Sequence, residues 1–241
     1  MMPERPSSAR TPLARSALAA ILLAGTLIAA ASLPIASATA EAADTPMAAA
    51  SAASAGRAID ARQLARRLRA GGYVIVMRHA SAPRTGADAS AAEPDNPRHE
   101  RQLDAAGKAS ARALGAALHA LRIPIGPIYS SPTYRALETV RLAHLGMPQV
   151  VPQLAEGNAG MSGAADASQI EWLRHAVNHP PQPGSNSLIV THTPNIVGAF
   201  GRGVSNIRAA EMLIFRPRPR APADLVGRMT VGEWRALARR G

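Results

Sequence analysis

Strands alternating with amphipathic helices predict an α/β fold of three layers, a mostly parallel sheet covered by helices on both faces. Two stretches carry that prediction. Tyr73-Val74-Ile75-Val76-Met77 and Ser187-Leu188-Ile189-Val190-Thr191 are short apolar runs rich in β-branched residues, the pattern of strands buried on both sides. Between them apolar residues recur at helical spacing, supplying the crossover helices that parallel strands need. The composition fits: 47% of residues are hydrophobic but only 3% aromatic, so the core is built from Ala, Leu, Val and Ile.

Of the 241 residues, the first forty read as an address. Arg5, Arg10 and Arg15 precede an apolar run from Ala17 to Ala31, and Ala36-Ser37-Ala38 and Ala38-Thr39-Ala40 both fit a small-x-small cleavage site. An apolar core of about fifteen residues is short against the roughly 20 of a spanning helix. Residues 1–40 are therefore expected to be a secretory signal peptide. The mature protein is then periplasmic or secreted, with no stable membrane anchor. Residues 41–56, mostly Ala, Ser and Thr, read as a disordered linker, and 57–241 as the folded domain.

Within that domain the elements follow in order. Asp60, with Gln63 three positions on, caps a helix carrying Leu64, Ala65 and Leu68 on one face and ending at Gly71-Gly72. The first buried strand follows. Residues 81–101, with Pro83, Pro94 and Pro97, form a long loop of the kind that often binds ligands. Leu103-Asp104 opens a helix with Leu114, Leu118 and Leu121 inward, in which Gly107 and Gly115 let neighbours approach; Pro124 and Pro127 stop it. Ile128–Ser130 is a short strand, after which Ser131 as N-cap and Pro132 at the first helical position start a helix over Thr133–Leu145. Val150-Val151 is a further strand. Ser168 and Glu171 form a capping box for a helix with Ile170, Leu173 and Val177 inward, ended by Pro180-Pro181. After the second buried strand come a short helix over 194–200, strands over Met212–Phe215 and Leu225–Met229, and a last helix capped by Thr230 and Glu233.

The formal charge is +11, and removal of residues 1–40 takes away three arginines and one glutamate, leaving 24 basic and 15 acidic residues, or +9. Lys108 is the only lysine. No long basic block occurs, and the few aromatic residues are not interleaved with the arginines as a nucleic-acid stacking platform requires. The expected partner is a small anionic molecule rather than nucleic acid; the Arg216–Arg220 turn carries the nucleic-acid reading. Without cysteine, disulfides, thiolate metal sites and thiol catalysis are excluded.

Arg78-His79 follow the first buried strand directly, and His192 stands at the carboxyl end of the second. Ligands of open α/β sheets bind beyond the carboxyl ends of strands, so a guanidinium and imidazoles placed there point to an anionic substrate and to catalysis if the two strands are neighbours. Each histidine, taken alone, also fits a satisfied strand-end residue. His175 and His179 have a four-residue spacing that suits zinc, yet lack an evident third ligand and read better as helix C-terminal histidines. Trp172 and Trp234 read as packing residues.

Taken together, Val74-Ile75-Val76-Met77-Arg78-His79, then Leu103 with Gly107, then Tyr129-Ser130-Ser131-Pro132-Thr133-Tyr134-Arg135-Ala136 with Thr139, then Ile189-Val190-Thr191-His192 resemble the histidine phosphatase superfamily, of phosphoglycerate mutase-like fold, in an exported bacterial-type form. The resemblance implies that His79 is the nucleophile and becomes a phosphohistidine. It implies that Arg78, Arg135 and His192 hold the phosphoryl oxygens and that a carboxylic acid protonates the leaving oxygen. The chemistry is consistent: a neutral imidazole is a nucleophile near neutral pH, guanidinium forks suit phosphate oxygens, and no metal or other cofactor enters the scheme.

Three positions depart from the family pattern. Ala80 stands where glycine is usual, Glu138 where glutamine is common, and Thr193 rather than aspartate follows His192. The acid must come from elsewhere, and Glu156 is the candidate because it follows a strand end and opens a glycine-containing loop. A solvated loop carboxylate is the other reading of Glu156, and Asp88, Glu93, Asp95 and Glu100 are its rivals. The expected function is metal-independent hydrolysis of a phosphomonoester, with a catalytically impaired phosphate-binding module of the same fold as the alternative.

Overall fold

The computed structural model describes residues 60–83, 101–156 and 165–240. The expected signal peptide and linker, and most of the loop after His79, lie outside these residues. Helices α1 (Ala61–Arg69), α2 (Ala105–Ala120), α3 (Tyr134–Ala143), α4 (Ala167–Asn178), α5 (Thr193–Phe200) and α6 (Val231–Ala238) surround strands β1 (Val74–Arg78), β2 (Ile125–Ser130), β3 (Gln149–Val150), β4 (Asn186–Thr191), β5 (Met212–Arg216) and β6 (Asp224–Met229). The six strands form one sheet of order β3-β2-β4-β1-β5-β6. The pairs β1 with β4, β4 with β2 and β2 with β3 are parallel, each strand reached through helical or 3-10 connections. β5 and β6 close one edge antiparallel, since the Pro/Arg-rich turn between them is too short to carry a crossover.

The sheet has an apolar layer on each face, as the continuous apolar strands require. Val74 to Met77 are each 0% exposed and every residue of β4 is buried. Ile75, Met77, Leu188, Val190 and Ile214 pack under α1, α2, α3 and α6 with Leu64, Leu114, Val140 and the fully buried Trp234. Val74, Val76, Ile189 and Leu213 face α4 and α5 through Leu173, Val177 and Ile196. Trp172 meets Tyr129 edge-on at 6.0 Å on this second side.

Local signals hold at most helix ends. Asp60 accepts a hydrogen bond from Arg62 N, Asp104 from Gly107 N, and Thr230 with Glu233 forms the expected capping box. Small residues set the distance between elements. A methyl on Gly107 would lie 2.1 Å from Ser81 O, and one on Gly115 1.8 Å from Ala143 O, so α2 rests backbone to backbone on the segment after His79 and on the end of α3.

Three expectations need correction. β2 begins at Ile125 rather than Ile128, and Pro127 lies within it where the register with β4 shifts, an irregularity that absorbs the missing N–H. The N-cap position of α3 is Thr133, not Ser131, because the Ser131 hydroxyl turns toward Thr133 N and His192; the helix ends at Ala143, with His144 in the left-handed region (φ 51°). The capping box of α4 is Asp166 with Gln169, two residues before Ser168 and Glu171. This register buries Gln169, whose amide donates to Ala155 O at 3.0 Å, and leaves Glu171 on the exposed side; Ile170 is only half-buried.

The close approach at Gly115 is directly testable. Gly115→Ala is expected to destabilise the domain by roughly 3 kcal/mol in urea unfolding, since the obstacle is backbone and cannot rotate away. Gly203→Ala, where an added methyl meets nothing within 4 Å, should stay within about 0.5 kcal/mol of the parent.

Candidate active site

β1 and β4 are hydrogen-bonded neighbours in parallel register, Arg78 opposite Thr191, so the residues that follow both strands emerge side by side. His79 N donates to Thr191 O at 3.0 Å, and the His79 and His192 rings stand 5.1 Å apart between centroids. Both are buried, at 4% and 0% exposure. His79 Nδ1 lies 2.6 Å from Ala80 O. A carbonyl only accepts, so Nδ1 carries the proton and the lone pair of the neutral ring resides on Nε2. His192 has the opposite tautomer. Its Nδ1 faces Arg135 Nη2 at 3.3 Å, and a guanidinium only donates, so Nε2–H is the donor to Ser131 Oγ at 2.8 Å.

Burial, reinforced by the Arg135 guanidinium, pulls His79 down to about 3, the Ala80 carbonyl opposing only in part. His192 is held well below the ordinary imidazole value by burial first, then by His79 and the surrounding arginines. Two neutral imidazoles therefore sit among cations at neutral pH. The amino ends of α3 and α5 open at this same sheet edge, directly after Thr133 and His192, and add their positive dipole ends.

The remaining predicted residues converge here. Arg135, in the first turn of α3 and 3% exposed, donates to Glu156 Oε2. Arg78 Nη1 donates to Ile207 O at 3.0 Å, and the Arg78 charge acts on both histidines. Glu156 follows the 3-10 turn Pro152–Leu154 and brings its carboxylate to 4.0 Å from His192 Nδ1. That carboxylate also receives Arg101 Nη2 at 2.5 Å. Its rivals Asp88, Glu93, Asp95 and Glu100 lie outside the described residues.

Arg101 escapes a reading of the sequence alone. It is one arginine among many at the end of a long loop, and only its place just before Leu103 and Gly107 marks it. Ser131 and Thr139 stand in the quoted motif, yet their roles emerge only in space. Ser131 orients His192, while Thr139 Oγ1 accepts from Ala80 N at 3.0 Å and donates to Arg135 O at 2.7 Å, tying the two halves of the site together.

Two of the unusual positions, Ala80 and Glu138, have defined local contacts. Ala80 is fully buried and packs with Leu103, Ala111, Leu142 and Ala210. Glu138 is held by Arg141 through two hydrogen bonds of 2.6 Å. His175 and His179 stack on each other at the end of α4, 6.3 Å between centroids.

Residues 74–187 match the family model of the histidine phosphatase superfamily, branch 1. Similar solved structures include the protein histidine phosphatase SixA complexed with tungstate, 18% identical with a TM-score of 0.50, covering 66% of this chain and 97% of that one. Another is a phosphoserine phosphatase from Entamoeba histolytica in complex with 3-phosphoglyceric acid, 12% identical with a TM-score of 0.45, covering 67% of this chain and 98% of that one. The likeness to the first is one of fold. No curated protein matches the sequence.

The lowered imidazole values predict a sign for the pH dependence of stability. Below about 6.5 the unfolded histidines take up protons while folded His79 stays neutral until about 3, so the unfolded state binds more protons throughout that window. The urea midpoint is expected to fall as pH drops from about 6.5, and less steeply in His79→Gln. By NMR the His79 ring signal should not titrate near 6.5; a midpoint there would contradict the assignment.

Proposed function

We propose that the chain is a phosphatase of the histidine phosphatase type, hydrolysing a phosphomonoester through a phosphohistidine on His79. The observation that carries the reading is the His79 ring itself. Its Nδ1–H is tied to Ala80 O, its lone pair is on Nε2, and burial keeps it neutral inside a group of arginines. Such a ring is a nucleophile whose protonation would be opposed at any ordinary pH, set where a phosphoryl dianion is attracted.

In the first step His79 Nε2 attacks phosphorus and the P–O bond to the alcohol breaks; Glu156, which enters as the carboxylic acid once Arg101 and Arg135 turn from it to the incoming phosphoryl oxygens, gives its proton to the leaving oxygen. Arg78, Arg135 and His192 hold the phosphoryl oxygens; the His192 Nε2–H is committed to Ser131, so its role there requires that bond to be exchanged for one to phosphate. In the second step water attacks the phosphohistidine, Glu156 takes its proton, and inorganic phosphate leaves with His79 restored. Guanidinium charge and a side-chain nucleophile supply what a metal-bound water would otherwise provide. Export through residues 1–40 favours hydrolysis over mutase chemistry, because a mutase needs a bisphosphorylated cofactor that an exported protein is not expected to meet.

A second reading, a phosphate-binding module of the same fold that has lost catalysis, draws on the engagement of Glu156 by two guanidinium groups. A denaturing quench at alkaline pH, where a phosphohistidine survives, followed by acid treatment separates the two. A catalyst leaves acid-labile phosphate on His79; a binding module leaves none yet holds phosphate in dependence on Arg78 and Arg135.

Turnover of an aryl phosphate in the presence of a chelator is expected to fall by about 10³-fold or more in His79→Ala, and retention of parental activity there would remove the proposal. Read in kcat/KM, which covers only the steps up to release of the alcohol, Glu156→Gln should cost about 10²-fold on an alkyl phosphate, whose leaving oxygen needs a proton, and much less on nitrophenyl phosphate. Equal losses on the two substrates would exclude Glu156 as the acid.

A further inference from the structure

The Arg78-His79 dipeptide is gripped by a segment that sequence motifs do not mark. Just before β5, residues Ile207 to Glu211 fold against the end of β1. Glu211 O accepts from Arg78 N at 3.2 Å, Ala210 N is shared between Arg78 O at 3.1 Å and His79 O at 3.2 Å, and Ile207 O takes the Arg78 guanidinium at 3.0 Å. The backbone of both residues and the direction of the Arg78 side chain therefore depend on the shape of this turn.

That shape is not one the turn adopts freely. Ala210 has φ 56°, in the left-handed region, which costs an alanine roughly 1–2 kcal/mol. External bonds hold it. The Glu211 carboxylate, with its side chain 6% exposed, accepts from Arg208 N at 2.7 Å through Oε2 and from Arg228 Nε at 2.9 Å through Oε1. Arg228, on β6, sends both terminal nitrogens to Asn206 Oδ1, each at 3.1 Å. One guanidinium thus links the beginning of the turn at Asn206 to its end at Glu211.

An ion pair between a buried carboxylate and a partly exposed guanidinium is a poor device for stability alone, because the desolvation cost of the carboxylate offsets much of the attraction. Its value here is directional. A carboxylate offers acceptors on two oxygens, toward a backbone N–H and toward a fixed guanidinium fork, and so sets the turn at one distance from β1.

We propose that Glu211 and Arg228 are positioning residues for the reaction: they clamp the 206–211 turn, and through the Ile207 carbonyl they aim Arg78 at the phosphoryl group. The inference rests on the phosphatase reading above. Glu211→Gln keeps the shape but replaces one acceptor by a donor that faces Arg208 N–H or Arg228. Arg228→Lys keeps the charge but loses the fork.

The test is a double-mutant cycle with Arg78, read in kcat/KM for an aryl phosphate and in the dissociation constant of orthovanadate, with urea midpoints measured alongside. Glu211→Gln and Arg228→Lys are each expected to lower kcat/KM by about 10- to 100-fold and to weaken vanadate binding, as a displaced binding group does. In an Arg78→Ala background the same changes should have little further effect on vanadate affinity, because the group they position is gone. Losses of equal size with and without Arg78 would show a merely structural role and overturn the proposal, as would parental kcat/KM in both single variants. If Glu211→Gln fails to fold, Arg228→Lys, whose side chain is 29% exposed, carries the cycle by itself. Failure of this inference is distinct from failure of the phosphatase reading, which His79→Ala decides.

Discussion

The parallel pairing of β1 with β4 is the constraint on which the rest of the site depends. These strands are far apart in sequence, yet the register that sets Arg78 opposite Thr191 lets His79 N bond to Thr191 O and leaves two imidazole-bearing residues emerging at one point of one edge. A slip by one residue would turn His79 or His192 to the opposite face of the sheet. The slip is prevented by apolar burial on both faces, since Ile75 and Met77 are committed to the layer under α1 and α2, and Val74 and Val76 to the layer under α4 and α5.

Around that pairing the electrostatics are arranged with few charges. Arg78, Arg101 and Arg135 gather near two buried imidazoles, and desolvation, reinforced by like-charge repulsion, keeps the rings neutral. Glu156 offsets the cations, drawn in by Arg101 and Arg135 from two different segments. Hydroxyls and carbonyls do the orienting. Ala80 O sets the tautomer of His79, Ser131 and Arg135 set that of His192, and Thr139 bridges from the backbone after His79 to the backbone of Arg135.

The scarcity of aromatic side chains has a structural counterpart in close backbone contacts. Gly107 and Gly115 admit Ser81 and the end of α3 to distances that any Cβ would forbid, and Ala80 fills a small cluster with Ala111 and Ala210 beside larger leucines. Asp104 adds a polar lock at the same junction, its carboxylate held below the usual range by accepting first from Gly107 N and then from the Ser81 hydroxyl at 2.7 Å. The start of α2 is thereby fixed to the chain leaving His79.

Much of this was legible in the sequence because it is written at short range. Continuous β-branched runs mark strands buried on both faces, Arg78-His79 and His192 sit at their ends, and Arg135 follows a strand at the start of a helix. The helix-cap registers at α3 and α4 are ambiguous at short range because two overlapping patterns fit each site, and partners distant in sequence choose between them, His192 for Ser131 and Ala155 for Gln169. Arg101, the Glu211–Arg228 pair and the order of the strands carry no local signature at all. Periodicity and residue type are enough to specify the alternation of elements and the chemistry placed at their ends. Which ends meet, which tautomer His192 adopts and what holds Arg78 in place are settled only in the folded chain, because those depend on hydrogen-bond partners supplied by residues dozens of positions away.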